Sequence, residues 1–140
     1  MNVEELIKEE NAAWNSHDVD KIATFYTDDC IKEDVAVGVY ARGKEAMNAV
    51  NRGAFAAVPD MKIELGLIIT SSDKAATEWT MSGTYSSTQP GAPPVIDRPF
   101  SIKGATIMRL RDGRISRVSD YWDSALFMRQ AGSMPSIRDG

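Results

Sequence analysis

Apolar positions at the start of the chain fall at helical spacing. Val3, Leu6, Ile7, Ala13 and Trp14 form one stripe, which predicts an amphipathic helix over residues 3–15. Asn2 stands where an N-cap is needed, and Glu5 is placed to bond back to it. The polar run Asn15, Ser16, His17, Asp18 breaks the stripe. Asp18 then caps a second, short helix carrying Ile22, Phe25 and Tyr26 on one side, with Asp28 and Asp29 as its stop. From Cys30 to Tyr40, β-branched residues followed by Gly38 suggest a strand and then a loop. Helical spacing returns between Gly43 and Val58 through Met47, Val50 and Phe55, and Pro59 with Asp60 ends it.

Beyond residue 60 the pattern changes. Segments 61–70, 74–87, 99–111 and 114–123 are rich in Ile, Thr, Val, Trp, Tyr and Phe. They are separated by Ser71, Ser72 and Asp73, by the proline-rich run 89–97, and by Arg111, Asp112 and Gly113, as antiparallel strands in sequence would be. Helices first and a meander afterwards is an α+β order, with three N-terminal helices packed on one face of a strongly curved, mainly antiparallel sheet. One domain over residues 1–132 and a short flexible tail over 133–140, broken by Pro135, account for the whole length.

Alternation along strands sorts the side chains by face. Val118, Asp120 and Trp122 share one face of the last strand; Arg117, Ser119 and Tyr121 share the other. Thr77, Trp79, Met81, Gly83 and Tyr85 fall together, as do Phe100, Ile102, Gly104, Thr106 and Met108, with Lys103 and Arg109 outward. Gly83 and Gly104 should let the sheet bend and leave room above it. Set against the helices, these faces predict a chamber lined by Trp14, Phe55, Trp79, Met81, Tyr85, Thr106, Val118 and Trp122.

Composition narrows the classes of function. Twenty acidic and 16 basic residues give a formal charge of -4 with no basic run, which argues against nucleic acid as a partner. A single cysteine, Cys30, cannot form an internal disulfide and fits a reducing, cytoplasmic setting. No apolar run reaches the ~20 residues of a membrane helix, and the acidic Glu4 and Glu5 sit where a secretory leader would be basic. With one histidine and one cysteine, a His/Cys zinc site lacks ligands. No metal and no cofactor is expected.

Two runs carry a family resemblance. "AAWNSHDVDKIATFYTDDCIKEDVAVGVYARGKEAM" and "IMRLRDGRISRVSDYWD" resemble the signatures of SnoaL-like polyketide cyclases and of the ketosteroid-isomerase-like, nuclear transport factor 2-like domains. The resemblance covers roughly residues 3–126 and implies the cone-shaped α+β fold of that superfamily. The fold hosts many reactions and some proteins with none, so the pocket residues must argue the function.

The resemblance places Asp120, seven residues after Gly113, near the position of the acid/base aspartate of SnoaL-like cyclases. It places Asp34, in "KEDVAVG", near the general base of ketosteroid isomerases, with Lys32 expected outward and Asp34 inward. A charged carboxylate inside an apolar chamber must be hydrated, paired or protonated. Two of them sharing the chamber would divide into one acid and one base. Tyr26 joins the expected ligand-binding set.

The chain departs from the isomerase pattern at its oxyanion donors. Glu10 stands at the tyrosine position and Thr106 at that of the protonated aspartate, which argues against steroid isomerisation. His17 belongs to the helix corner, and the outward Arg109 argues against epoxide-hydrolase chemistry. The expectation is a binder of a small hydrophobic ligand that performs cofactor-free acid/base chemistry on a carbonyl compound as an isomerase, cyclase or lyase. The alternatives are a non-catalytic ligand-binding protein and a dimeric interaction module. A homodimer through exposed Tyr121 and Ile107, flanked by Arg109 and Arg117, is expected under each.

Overall fold

The computed structural model describes residues 1–88 and 90–132. The predicted tail at 133–140 and Gln89 of the proline-rich run lie outside the described residues. Two helices open the chain, α1 (Val3–Asn15) and α2 (Val19–Ala23). Asn2 caps α1 by accepting the Glu5 N–H at 2.8 Å, and its amide donates to the Glu5 carboxylate at 3.1 Å. Asp18 caps α2 through the Lys21 N–H at 3.1 Å.

A strand, β1 (Tyr26–Asp34), follows at once, so Tyr26, Asp28 and Asp29 are strand residues and not the end of a helix. The spacing of Ile22, Phe25 and Tyr26 is too short a pattern to separate a helical turn from a strand entry. A turn at residues 35–38 then leads into a second strand, β2 (Val39–Arg42), where the sequence suggested a loop. It pairs antiparallel with β1. Next come α3 (Lys44–Ala57), β3 (Lys62–Thr70), β4 (Lys74–Ser87), β5 (Val95–Arg111) and β6 (Arg114–Trp122).

The last element, α4 (Ser124–Gln130), was not predicted. Asp123 caps it by accepting the Leu126 N–H at 2.9 Å, and Gly132, at φ 81°, follows its end. Such a cap and a left-handed glycine are the usual marks of a short helix. The Gln130 side chain grips the backbone of Ser101 in both directions, at 2.7 and 3.0 Å, and so pins α4 to β5.

The six strands form one sheet in the order β2-β1-β6-β5-β4-β3. Among the described residues only the β1–β6 pairing is parallel. Cross-strand register lays out the inner face in rows. One row runs Thr77, Thr106, Asp120, Asp34; the row beside it runs Trp79, Gly104, Trp122. The core between helices and sheet includes Ile7, Ala13, Ile22, Met47, Ile102, Ile115 and Val118, all at or below 3% exposure.

Gly83 and Gly104 serve close packing and not the open space expected of them. A Cβ on Gly104 would come within 2.3 Å of the Trp79 ring, and one on Gly83 within 2.4 Å of Val58. The proline-rich connection is also shorter than expected, because β5 starts at Val95.

Candidate functional site

A cavity of about 250 Å³ lies between the helices and the inner face of the sheet. Trp14, Tyr26, Trp79, Met81, Tyr85, Thr106, Val118 and Trp122 line it, together with both Asp34 and Asp120. Phe55 does not. Its ring packs behind the wall, 4.8 Å from Trp14 and stacked 4.2 Å from His17, so its work is to hold the corner. His17 is the expected corner residue: it adopts φ 62° and its Nε2 bonds the Met61 carbonyl at 2.7 Å. None of the described residues of the proline-rich run lines the cavity, whereas Phe127 of α4 does. That ring stands edge-on to Tyr85, Phe100 and Trp122.

The polar residues of the cavity form a connected set. Asp34 and Asp120 are register partners on the parallel strands β1 and β6. Trp79 Nε1 donates to Thr106 Oγ1 at 2.7 Å, and Thr106 in turn donates to Asp120 Oδ1 at 2.6 Å. Trp122 Nε1 is shared between the two Asp34 oxygens, at 3.0 and 3.1 Å. Burial pushes the Asp34 carboxyl above its ordinary range, opposed by the Trp122 bond and assisted by the nearby charge of Asp120.

Lys32 overturns one expectation. It points inward, 8% exposed, with Nζ 3.7 Å from Asp120 and 4.7 Å from the centre of the Trp14 ring. Strand alternation requires this once Asp34 is inward, since the two residues are two apart. Its stem is covered by apolar wall and its charge meets a carboxylate and an indole face, both of which offset the cost of burial.

Glu10 is the second group that the sequence did not mark as a site residue. It is 8% exposed, lines the cavity and accepts the Tyr26 hydroxyl at 3.0 Å. Burial raises it to about 7; the Tyr26 bond and Lys32 pull the other way, and Asp120 adds to the rise. Burial also holds the Tyr26 hydroxyl well above its usual range, so it stays a donor. The site thus gathers three carboxyl groups around one ammonium, with Glu10 and Asp34 both pushed upward by burial.

A signal for both residues was present in the sequence. Glu10 occupies the stripe Val3, Ile7, Glu10, Trp14, and Lys32 shares a strand face with Asp34. Among the described residues no cluster of His, Cys, Asp or Glu is arranged to hold a metal ion, and no helix is long and apolar enough to cross a membrane.

Comparison with known proteins agrees with the fold at full length. Among solved structures, TsrD from Streptomyces laurentii is similar at 27% identity and a TM-score of 0.79, over 94% of this chain and 96% of that one. IdmH from Streptomyces antibioticus, a candidate polyketide cyclase, is similar at 26% identity and a TM-score of 0.79, over 92% and 97%. A hypothetical protein with a ketosteroid isomerase-like fold from Catenulispora acidiphila, solved with trimethylamine, gives 22% identity and a TM-score of 0.79, over 94% and 95%. A search of curated proteins returns no significant match. The family model of SnoaL-like polyketide cyclases matches residues 4–131, nearly the full span of the helices, sheet and cavity described above. The chain belongs to the SnoaL-like polyketide cyclase family.

Proposed function

We propose that the protein binds a small, mostly apolar carbonyl compound in the cavity and catalyses proton transfer on it, as an isomerase, cyclase or related lyase, with its own side chains as acid and base. The observation that carries this reading is the side-by-side placement of Asp34 and Asp120 in the wall of a largely apolar chamber. A carboxylate there takes a proton from the carbon next to the carbonyl. The C–H electron pair moves into an enolate; the neighbouring carboxyl then returns a proton at a new position, or the enolate carbon attacks a second carbonyl of the same molecule, whose C=O π pair becomes an alkoxide that takes up the proton as the ring closes.

Asp120, which faces Lys32 and accepts from Thr106, makes the contacts of a charged base. Asp34, raised by burial, suits the acid. The Lys32 ammonium and a neutral Glu10 carboxyl are able to face a developing oxyanion. Of the neutral donors in the cavity, those on Tyr26, Thr106, Trp79 and Trp122 already bond within the site, and the Trp14 indole N–H does not. The test is solvent-deuterium exchange and turnover over a panel of activated ketones. Asp120→Asn and Asp34→Asn should each lose about 10²–10⁴-fold in kcat. Rates equal to wild type in both variants would end the catalytic reading.

That same commitment of neutral donors to partners within the site favours a second reading, a non-catalytic binder of an apolar ligand. Thermal stabilisation by an apolar ligand that persists in Asp120→Asn, without exchange, would mark it. Under either reading we expect a homodimer through the outer face of the sheet, where Ile107 and Tyr121 are about half exposed, at 47% and 46%. Sedimentation as a monomer at micromolar concentration would remove that expectation. A cytoplasmic location, with no nucleic-acid or membrane partner, fits the lone buried thiol of Cys30 and the acidic balance of charge.

A further inference from the structure

The wall of the cavity supplied by the helices carries two polar atoms without a partner among the described residues. Asn51 on α3 is 1% exposed, and its Oδ1 accepts no hydrogen bond. Trp14 on α1 has a buried indole N–H that finds no acceptor. Both side chains line the cavity. Trp14 packs on Phe55, and Asn51 stands one helical turn before Phe55 on the same face of α3.

A buried amide oxygen left unmatched costs about as much as a lost hydrogen bond, and leucine would fill the same place without that cost. Asn51 interrupts the otherwise apolar stripe of Met47, Phe55 and Val58. A local rule broken in the wall of a cavity is expected where a ligand completes the bonding.

We propose that Asn51 and Trp14 form a hydroxyl-binding subsite on the helical wall, so that the ligand carries a hydroxyl on its apolar frame as well as the group that meets Asp34 and Asp120. The inference rests on the cavity being a ligand site. An indole N–H needs an acceptor and an amide oxygen needs a donor. One hydroxyl supplies both; a ketone oxygen would serve Trp14 and leave Asn51 unmatched. A purely hydrocarbon frame would leave both groups unmatched.

Tetralone and its ring-hydroxylated isomers, compared by titration calorimetry, test the subsite. Wild type should bind at least one hydroxylated isomer about tenfold more tightly than tetralone. Asn51→Leu and Trp14→Phe should each bring the ratio of the two affinities, hydroxylated isomer over tetralone, most of the way back to one, whatever they do to the affinity for tetralone itself. Asn51→Leu should also unfold at a denaturant midpoint no lower than wild type. Equal binding of tetralone and every hydroxylated isomer overturns the subsite and leaves the cavity reading in place. Failure of all of these probes to bind overturns both. A hydroxyl gain that survives in both variants, or a lowered midpoint in Asn51→Leu, shows that these groups serve the fold and overturns the subsite.

Discussion

Asp29 and Asp34 lie five residues apart on the same strand, and their carboxyls are shifted in opposite directions from the ordinary value. Asp29 is exposed and meets the Arg111 guanidinium, whose hydrogen bond holds the carboxyl below its ordinary range. Asp34 faces the cavity, and loss of water pushes it up. The residue type is the same; the face is what differs. A register shift between Tyr26 and Ile31 re-aims the strand, so that Asp28 and Asp29 point to solvent before Cys30, Lys32 and Asp34 turn inward. On this strand the outer Asp29 becomes part of a surface ion pair, whereas the inner Asp34 loses water and is shifted upward. Mutations that change the charge balance of each face put this contrast to the test.

The largest effect is expected at Lys32. Its ammonium is the cation set against Asp120 inside the cavity, with side-chain exposures of 10% and 20%. Lys32→Met keeps the bulk of the stem but leaves the carboxylate without its counter-charge. Breaking a buried pair from one side costs about 3–5 kcal/mol, to be read from urea unfolding at neutral pH. The loss should shrink on acidification, as the inner carboxyls take up protons. A loss that does not change with pH would mean that Lys32 matters for packing alone.

Glu10 comes next, and its effect has a sign set by linkage. The carboxyl titrates near 4.5 when unfolded and at about 7 in the folded protein. Between those values the folded state binds more protons than the unfolded one, so this contribution to stability is full below the lower value and declines as pH rises through the upper. The change amounts to about 3 kcal/mol. Glu10→Gln removes it, and the stability difference between variant and wild type should therefore move in favour of the variant as pH rises from 5 to about 7.5. Parallel profiles would show that Glu10 is charged in the folded protein throughout that range.

Two glycines separate the faces in packing terms. Gly104→Ala thrusts a Cβ into the Trp79 ring, with no room short of moving the indole that donates to Thr106. The expected cost is about 1–3 kcal/mol, together with weaker ligand binding as Trp79 is displaced. Gly66→Ala on β3 meets its nearest atom, the Glu78 carbonyl oxygen, at 3.4 Å. It should cost clearly less. Equal losses in thermal unfolding would deny Gly104 its special role.

Most of the sheet was legible in the sequence because long strands repeat the alternation many times. The inward sets on β4, β5 and β6 hold Trp79, Thr106, Asp120 and Trp122 where parity put them. Short elements carry too few periods to read, which is why β2, with four residues, passed for loop and α4, with seven, went unseen. The site was half legible for a different reason. Lys32 was assigned outward although its spacing from Asp34 sets it inward, and Glu10, set at the tyrosine position of the isomerase pattern, was read only as a missing oxyanion donor. Asn51 hides in the same way. Such polar interruptions of an apolar stripe are the part of this sequence that points most directly to the cavity.

The smallest effect should come from the outer partner in the opening contrast. Asp29→Asn removes a carboxylate that is 68% exposed along its side chain, bonded to an Arg111 that is itself 52% exposed. Water screens such a pair and solvates whichever partner remains, so little free energy is at stake. No resolvable change in denaturation midpoint at physiological salt is the expected outcome. The informative companion is Asp34→Asn, the same substitution on the same strand, which retains an acceptor for Trp122 but cannot carry a proton between states. Its unfolding profile should lose part of the pH dependence seen in wild type, while that of Asp29→Asn overlays wild type near neutrality. Matching profiles for the two variants would mean that facing the cavity does nothing to a carboxyl on β1, and the division of labour between the faces of the sheet would fall with it.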